Sequence, residues 1–535
     1  MKSIKLKSTV AMLCTLVMVT SMLAGCGPKK VEPVVEKDKV NNHLVISMSV
    51  IGADIAGLTK EGKPDANLVW LQKKFDFEFK FVPLTWDNYI DQTRLWLASG
   101  EAPDLMMLDV APTRYPEYLT WVKQGLIKPY PEFGTKYPNL QKRFDGLTGG
   151  QNFKVDGKLY GWPAYVDLIK YNYTEVDAIL YRKDWATKLN LVKPNDEYTW
   201  DEWTNLIKTV VEKDPNGNGP GKTIGLLGVD WAFPKYFGPG AVSPNMGAYT
   251  KDSSGKYVWG PSLPESLEAV KLTKQMYDQG LIWKDQMMVK NDDLANKFNA
   301  GLAFAAIGGA AGVVSSTAKT GEDVKKVDPS FDPAKDLGLA IVHGPDGKVL
   351  GREGSDQWSQ EAMNGKISEE KATRWTEILD YLVSDEGYNF RTLGIPDVDW
   401  KMVDNKPVAN WPVDAKTGLA TDQHSNGTWP WLRAAGCNDG FALTSPAQPQ
   451  WAKDMVTKGY ERFTQSDIKR VPLDQKLAYF SAPTYDKVGN MEKEIYQEIA
   501  KLMTSKNVES DWNTWVKDQM PKIQPVLDEI NAKLK

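Results

Sequence analysis

An α/β protein, with parallel strands covered by helices, is the fold class that this sequence predicts. Three observations predict it. Residues 43–110 alternate between strand-like and helical runs: HLVISMSV, ANLVWLQKKF, FEFKFVPL, TWDNYIDQTRLWLAS and DLMMLDV. That order belongs to a parallel sheet with helices on its faces. Two later stretches carry apolar stripes at three- and four-residue steps: Ala372, Trp375, Leu379 and Leu382, then Val488, Met491, Ile495, Ile499 and Leu502. Such stripes cover a sheet. Finally, GLAFAAIGGAAGVVSS, residues 301–316, is apolar but built of small residues. It reads as a buried strand running into a glycine-rich crossing, not as a membrane span.

Taken in order, the chain begins with a basic start at Lys2, Lys5 and Lys7. An uncharged, mostly apolar run over residues 10–24 follows, and then Gly25 and Cys26. This is the layout of a secretory signal, too short for a comfortable spanning helix. LAGC resembles the bacterial lipobox, in which the chain is cut before the cysteine and the cysteine is lipidated. Acyl chains enter a bilayer with about 0.8 kcal/mol per buried methylene, so several chains on Cys26 would hold firmly. Residues 26–42 are charged, contain Pro28 and Pro33, and lack apolar periodicity. A flexible tether of this length spans roughly 20–25 Å. The folded body is therefore expected at the outer face of a cell membrane, held there through lipid alone.

Composition narrows the partners. Without the three signal lysines, 62 of the 65 basic side chains face 69 acidic ones, a balance of −7. No basic excess is present to neutralise phosphates, which argues against nucleic acid. Of the three cysteines, Cys14 would leave with the signal and Cys26 would carry lipid, so Cys437 has no disulfide partner. Stability must come from core packing. Trp is abundant, with 20 against 16 Phe. An indole N–H needs a partner in a core, whereas an indole face suits the C–H face of a sugar.

Candidate ligand residues follow from position and type. Ligands of parallel sheets sit beyond the carboxyl ends of strands. Asp54 follows the first strand and Asp109 ends DLMMLDV. Aromatic residues with acids or Arg nearby cluster in four loops. YGWPAYVDLIKYNY carries Trp162, Tyr165 and Asp167, and GVDWAFPKYFGPG carries Trp231 and Phe233. GREGSDQWSQEAMN carries Arg352, Glu353, Asp356 and Trp358, and GTWPWLRAAG carries Trp429 and Trp431. One stacked ring face would contribute about 1–3 kcal/mol. His43, His343 and His424 show no metal-ligand spacing, and no G-x-S-x-G elbow is present.

Several segments resemble one known family, the extracellular solute-binding proteins of family 1, which are the sugar-binding subunits of ABC importers. LASGEAPDLMML is similar to their sGxxPDl segment, and DGKLYGWPAY to their G-K-x-Y-G-x-P stretch. AILYRKDWATKLNL with YTWDEWTNLIKTVVEKDPNGNG resembles the block that follows it. ESLEAVKLTKQMYDQGLI, KFNAGLAFAAIGG and LGIPDVDW resemble later segments, in the family's order. The resemblance implies a two-lobed body of the type II periplasmic-binding-protein fold, like maltose-binding protein, with discontinuous lobes joined by a hinge. By analogy, residues 43–163 and 308–362 would form one lobe, and residues 164–307 and 363–535 the other. The crossings would fall near residues 162–173, 305–312 and 357–362.

DPNGNGPGKT invites two further readings. A phosphate loop would need Gly at position 216, which is Asn216, and a helix after it where TIGLLGV reads as a strand. Asp214, Asn216, Asn218 and Gly219 match positions one, three, five and six of an EF-hand-type loop. Relatives continue with acidic residues, but here Lys222 intervenes and position twelve is Gly225. A polar turn is the favoured reading, with calcium the alternative. No other cofactor is implied.

These readings converge on a monomeric, lipid-anchored receptor that captures an oligosaccharide between its lobes, hands it to ABC permease subunits and breaks no bond. Two alternatives share the location and the aromatic loops: a surface glycoside hydrolase or lyase, and a receptor for peptides or another solute on the same scaffold.

Overall fold

The alternation over residues 44–110 folds as the sequence predicts. The strand Leu44–Ile51, helix Ala66–Phe75, strand Phe77–Leu84, helix Tyr89–Ser99 and strand Leu105–Leu108 follow one another. Each boundary has a local cause. Asp65 caps the first helix by accepting from the Leu68 N–H, and Asp76 ends it at φ 48°. Gly100, at φ 74°, ends the second. The strand LMML is buried at all four positions, which suits a strand covered on both faces.

This computed structural model describes residues 43–51, 59–60, 63–85, 88–110, 114–165, 174–175, 178–228, 249–286, 291–306, 314–412, 432, 435–437, 443, 448–489 and 491–534. The chain divides into Met1–His43 and Leu44–Lys535, and every element below lies in the second unit. The signal-like segment and the tether lie outside the described residues. Among those described, no helix is long and apolar enough to cross a membrane.

Two main sheets organise the body. The first runs Phe77–Leu84, Leu44–Ile51, Leu105–Leu108, Gln357–Asn364, Ile127–Lys128, and Trp162–Tyr165 also pairs with Gln357–Asn364. Its first three strands are parallel, and Gln357–Asn364 runs against them. The helix Glu369–Leu382, capped by Ser368, lays its predicted stripe on this sheet, with Ala372, Trp375, Leu379 and Leu382 all in the core.

The second sheet runs Glu197–Tyr198, Leu337–Val342, Ile179–Arg182, Ala303–Ala306, Ile224–Leu227. Successive side chains of a strand point to opposite faces. Accordingly, Ile179 and Tyr181 enter one core with Trp203, Ile207 and Val210, while Leu180 enters another with Phe298, Val324 and Phe463. A capping box of Thr199 and Glu202 starts the helix Trp200–Lys213 that covers the first of these faces. A further core joins the helices Pro264–Asp278, Glu492–Leu502 and Val508–Lys533.

The chain passes between the sheets along paired strands. Trp162–Tyr165 belongs to the first sheet and Ile179–Arg182 to the second. The return passes from Leu337–Val342 in the second sheet, through Leu350–Glu353, to Gln357–Asn364 in the first. The two passages are antiparallel and hydrogen-bonded to each other, with Thr174 opposite Glu353 and Gln357 opposite Tyr165.

Of the expected crossing at residues 305–312, positions 307–312 lie outside the described residues, and Ala303 before it and Val324 after it share one core. Two other expectations need correction. Residues 337–342, expected with the first lobe, pair in the second sheet, and residues 369–382, expected with the second, pack on the first. The stripe from Val488 to Leu502 is not one helix. It breaks between Pro483–Val488 and Glu492–Leu502, where Gly489 at φ 64° and Met491 at φ 53° turn the backbone left-handed.

Candidate functional site

The register of the strands defines an edge shared by both sheets. In the first, the carboxyl ends of Leu44–Ile51 and Leu105–Leu108 lie at the end where Gln357 begins its strand. In the second, Leu337–Val342 and Ala303–Ala306 run against Ile179–Arg182, so their carboxyl ends lie where the first passage enters. Ile224–Leu227 and Glu197–Tyr198 are parallel to these and end at the same edge. The passages thus connect the carboxyl edge of one sheet to that of the other, which is where ligands of open α/β sheets bind.

Asp109 stands at this edge, one residue past Leu108. Its Oδ2 accepts from the Tyr89 hydroxyl at 2.8 Å and from the Arg114 guanidinium at 3.0 Å. Arg114 also donates from Nε to the Asp109 carbonyl at 2.7 Å and from Nη2 to the Tyr89 hydroxyl at 3.1 Å. Enclosure pushes the Asp109 carboxyl above the usual carboxylate range, opposed by the charge of Arg114 and the Tyr89 hydrogen bond. The side chain nonetheless keeps 25% of its surface exposed. It is a held, partly open carboxylate. Beside it, Gln360 accepts the Val110 N–H at 3.2 Å on Oε1, and its Nε2 has no partner among the described residues.

Two predicted residues serve the fold instead. Trp162 is fully buried in the core of the first sheet, its ring against Phe133 at 5.8 Å and Phe144 at 6.4 Å. The close approach of Gly436 fits against its indole edge, where an added Cβ would lie 2.4 Å from the ring. No ring face is open to a sugar. Asp356 is buried and accepts from the Thr148 N–H at 2.5 Å, the Thr148 hydroxyl at 3.0 Å and the Gly149 N–H at 3.1 Å. It fastens the short helix Gly149–Phe153 to the returning passage.

Glu353 is half-buried on that passage, opposite Thr174. Arg352 and Trp358 are placed on the same passage by their backbones and Tyr165 on the paired one, opposite Gln357, their side chains lying outside the described set. Asp54, Asp167, Trp231, Phe233, Trp429 and Trp431 lie outside the described residues, as does Cys26. Sequence reasoning missed Tyr89, Arg114 and Gln360. Only Arg114 left a signal, as a cation five positions after an acid that ends a strand.

The Asp214 loop closes on itself. The carboxylate accepts from the N–H groups of Asn218 at 3.0 Å and Gly219 at 2.7 Å, and from the Thr223 hydroxyl. Those donors hold its pKa below the usual range, the Thr223 hydrogen bond most of all. Asn216 and Asn218 turn their NH₂ groups to the Gly301 carbonyl at 2.9 and 3.0 Å. A calcium loop needs oxygen ligands converging on one point. Here the first carboxylate is engaged with donors, and the residues do not fit the ion. Among the described residues no group of three or more His, Cys, Asp or Glu could hold a metal. Calcium at millimolar concentration is therefore expected to leave the melting temperature within about 1 °C of that in chelator, since binding at 100 times Kd would add about 2.7 kcal/mol. A calcium-dependent shift of several degrees would refute this.

The chain belongs to the bacterial extracellular solute-binding protein family, which it matches over residues 55–388. It has the two-lobed α/β type II fold of that class. It is 24% identical to lipoprotein LipO of Bacillus subtilis (strain 168) over 418 residues, 75% of this chain and 74% of that one. Among solved structures it is similar to the alginate-binding protein AlgQ2 without calcium ion, with a TM-score of 0.62, 19% identity, and coverage of 91% of this chain and 97% of that one. It is also similar to the substrate-binding protein FusA of S. pneumoniae in complex with kestose, with a TM-score of 0.61, 18% identity, and coverage of 91% and 99%.

Proposed function

We propose that this protein captures an oligosaccharide between its lobes and delivers it, chemically unchanged, to an ABC importer. The observation that carries the reading is the shared carboxyl edge, with Asp109 held there by Arg114 and Tyr89 yet still reaching solvent. A carboxylate fixed in this way can accept hydrogen bonds from sugar hydroxyls, and charge-assisted bonds of that kind are the strong ones. The alginate- and kestose-binding neighbours support a sugar as the ligand class. A ligand that touches both lobes favours the closed arrangement through its differential affinity for it.

The pairing of strands supports lobes divided otherwise than the resemblance implied. The first gathers residues 44–165 with 357–437, and the second gathers 174–353 with 448–534. The hinge comprises the two paired passages and a third between Cys437 and Gln450. The LAGC motif and the likeness to LipO support a lipid anchor at Cys26, outside the cell.

Tryptophan fluorescence and melting temperature, read against a panel of plant and animal oligosaccharides, test the proposal. At least one sugar should raise the melting temperature, and Asp109→Ala should weaken its binding by roughly 30-fold, about 2 kcal/mol. A response to peptides alone would remove the sugar. Release of cleaved saccharide would turn the reading to an enzyme.

A further inference from the structure

Three glutamines at the shared carboxyl edge carry amide atoms that the fold does not satisfy. Gln357 and Gln360 come from the strand that returns to the first sheet, and Gln286 comes from the second lobe. They are 4%, 1% and 6% exposed, in that order. Among the described residues, Gln357 Oε1, Gln360 Nε2 and both amide atoms of Gln286 have no hydrogen-bond partner. Buried polar groups of native proteins are paired, and an unpaired one is costly. Three at one edge point to a partner from outside the chain.

Each is placed by its element. Gln360 sits opposite Leu108, the last residue of its strand. Its Oε1 accepts the Val110 N–H at 3.2 Å, which fixes the amide head at the turn that carries Asp109. Gln357 opens the returning strand opposite Tyr165. Its Nε2 donates to the Tyr479 hydroxyl at 2.7 Å, which leaves Oε1 to accept from another donor. In the second lobe, residues 281–283 run parallel to Ile224–Leu227. The Leu226 N–H donates to the Leu281 carbonyl at 2.9 Å, and the Trp283 N–H to the Leu226 carbonyl at 3.4 Å. This segment therefore ends at the same edge. Gln286 follows in a turn closed by its own N–H on the Trp283 carbonyl at 3.3 Å.

The chemistry of these groups selects among ligands. A carboxamide both donates and accepts without charge, and so does a hydroxyl. An anionic sugar would need an uncommitted cation, because a buried charge is tolerated only when paired. Among the described side chains at this edge, Arg114 is engaged with Asp109 at 3.0 Å. Lys284 and Asp285 are both exposed beside Gln286, and Glu353 adds a further carboxylate on the returning passage. An acidic sugar would meet more carboxylates than cations there.

We propose that the ligand is an uncharged oligosaccharide, and that Gln286, Gln357 and Gln360 hydrogen-bond its hydroxyls from the two lobes. This rests on the oligosaccharide reading above and narrows it. Asp109 accepts from one hydroxyl, and Gln360 donates to a neighbouring one at the same turn.

Calorimetric titration of the purified full chain tests this. The neutral probes are xylo-, manno-, cello-, fructo- and galacto-oligosaccharides, and the acidic ones are oligogalacturonates and oligoalginates of equal length. At least one neutral sugar should bind roughly 10-fold tighter than either acidic series. Gln286→Met fills similar space without an amide. It should weaken that sugar roughly 10-fold and leave the melting temperature of the ligand-free protein unchanged or higher. Gln360→Glu keeps an oxygen for the Val110 N–H and removes the donor, and should weaken the sugar as much. Equal or tighter binding of an acidic oligomer would overturn the proposal and leave the oligosaccharide reading standing. Unchanged affinity in either variant would also overturn it, and a lowered melting temperature alongside would assign that glutamine to the fold. Response to no sugar of either kind would remove the reading and the proposal together.

Discussion

Glu361→Gln is expected to stabilise the protein above pH 7 and to change little near pH 4.5. Glu361 is buried on the strand Gln357–Asn364, where its Oε2 accepts from the Tyr130 hydroxyl and from the Trp375 indole at 3.0 Å. Its Oε1 has no partner among the described residues. Burial pushes its pKa up to about 7, although both hydrogen bonds pull the other way. A carboxyl raised from about 4.5 binds its proton more tightly in the folded chain than in the unfolded one. Stability from this group is therefore full below pH 4.5 and declines as pH rises to 7, by about 3 kcal/mol in all. An amide keeps an oxygen for Tyr130 and Trp375 and carries no charge at any pH. Melting curves from pH 4.5 to 8.5 should thus converge at the acid end and separate by a few degrees at the basic end. Parallel curves would show that Glu361 is already ionised in the folded protein without cost.

How much of this could be read from the chain depends on range. The helix Glu369–Leu382 was legible because its stripe and its Ser368 cap are local. Asp109 was legible because an acid directly after a fully apolar strand has to leave the core at the strand's end. The pairing of Thr174 with Glu353 was not, since nothing near either residue encodes a partner so far away in the chain. Trp162 and Asp356 failed for another reason. A Trp beside Gly and Pro reads the same whether its ring meets a sugar or Phe133. An acid in a polar loop reads the same whether it holds a ligand or the N–H groups of Thr148 and Gly149. Gly489 hinted at the break before Glu492, but Met491 in the left-handed region is a tertiary outcome that local preference would not choose.

Tyr479→Ala is expected to loosen two cores at once. Tyr479 stands edge-on to Tyr115 at 5.3 Å and to Phe153 at 5.8 Å, rings that belong to the first sheet's core. Its hydroxyl accepts from Gln357 Nε2 at 2.7 Å, at the start of the returning strand. Burial raises its phenol pKa, so it stays neutral through the physiological range. The next residue, Phe480, is buried in the core of the C-terminal helices, with Tyr485 at 5.2 Å. Two consecutive side chains thus bridge separate cores without any covalent crossing at that point. Tyr115 directly follows Arg114, so the ring also braces the turn that presents Asp109. Removing the ring should cost roughly 2–4 kcal/mol, the range for truncating a packed aromatic side chain. Tyr479→Phe removes only the hydroxyl and should cost about 1 kcal/mol. Hydrogen exchange provides the sharper measurement. In Tyr479→Ala, protection should fall both in the helix Tyr115–Lys123 and in Pro483–Val488, whereas a ring serving one core alone would loosen one of them. Equal losses in the Ala and Phe variants would mean that the hydrogen bond to Gln357, and not the ring, ties the cores together.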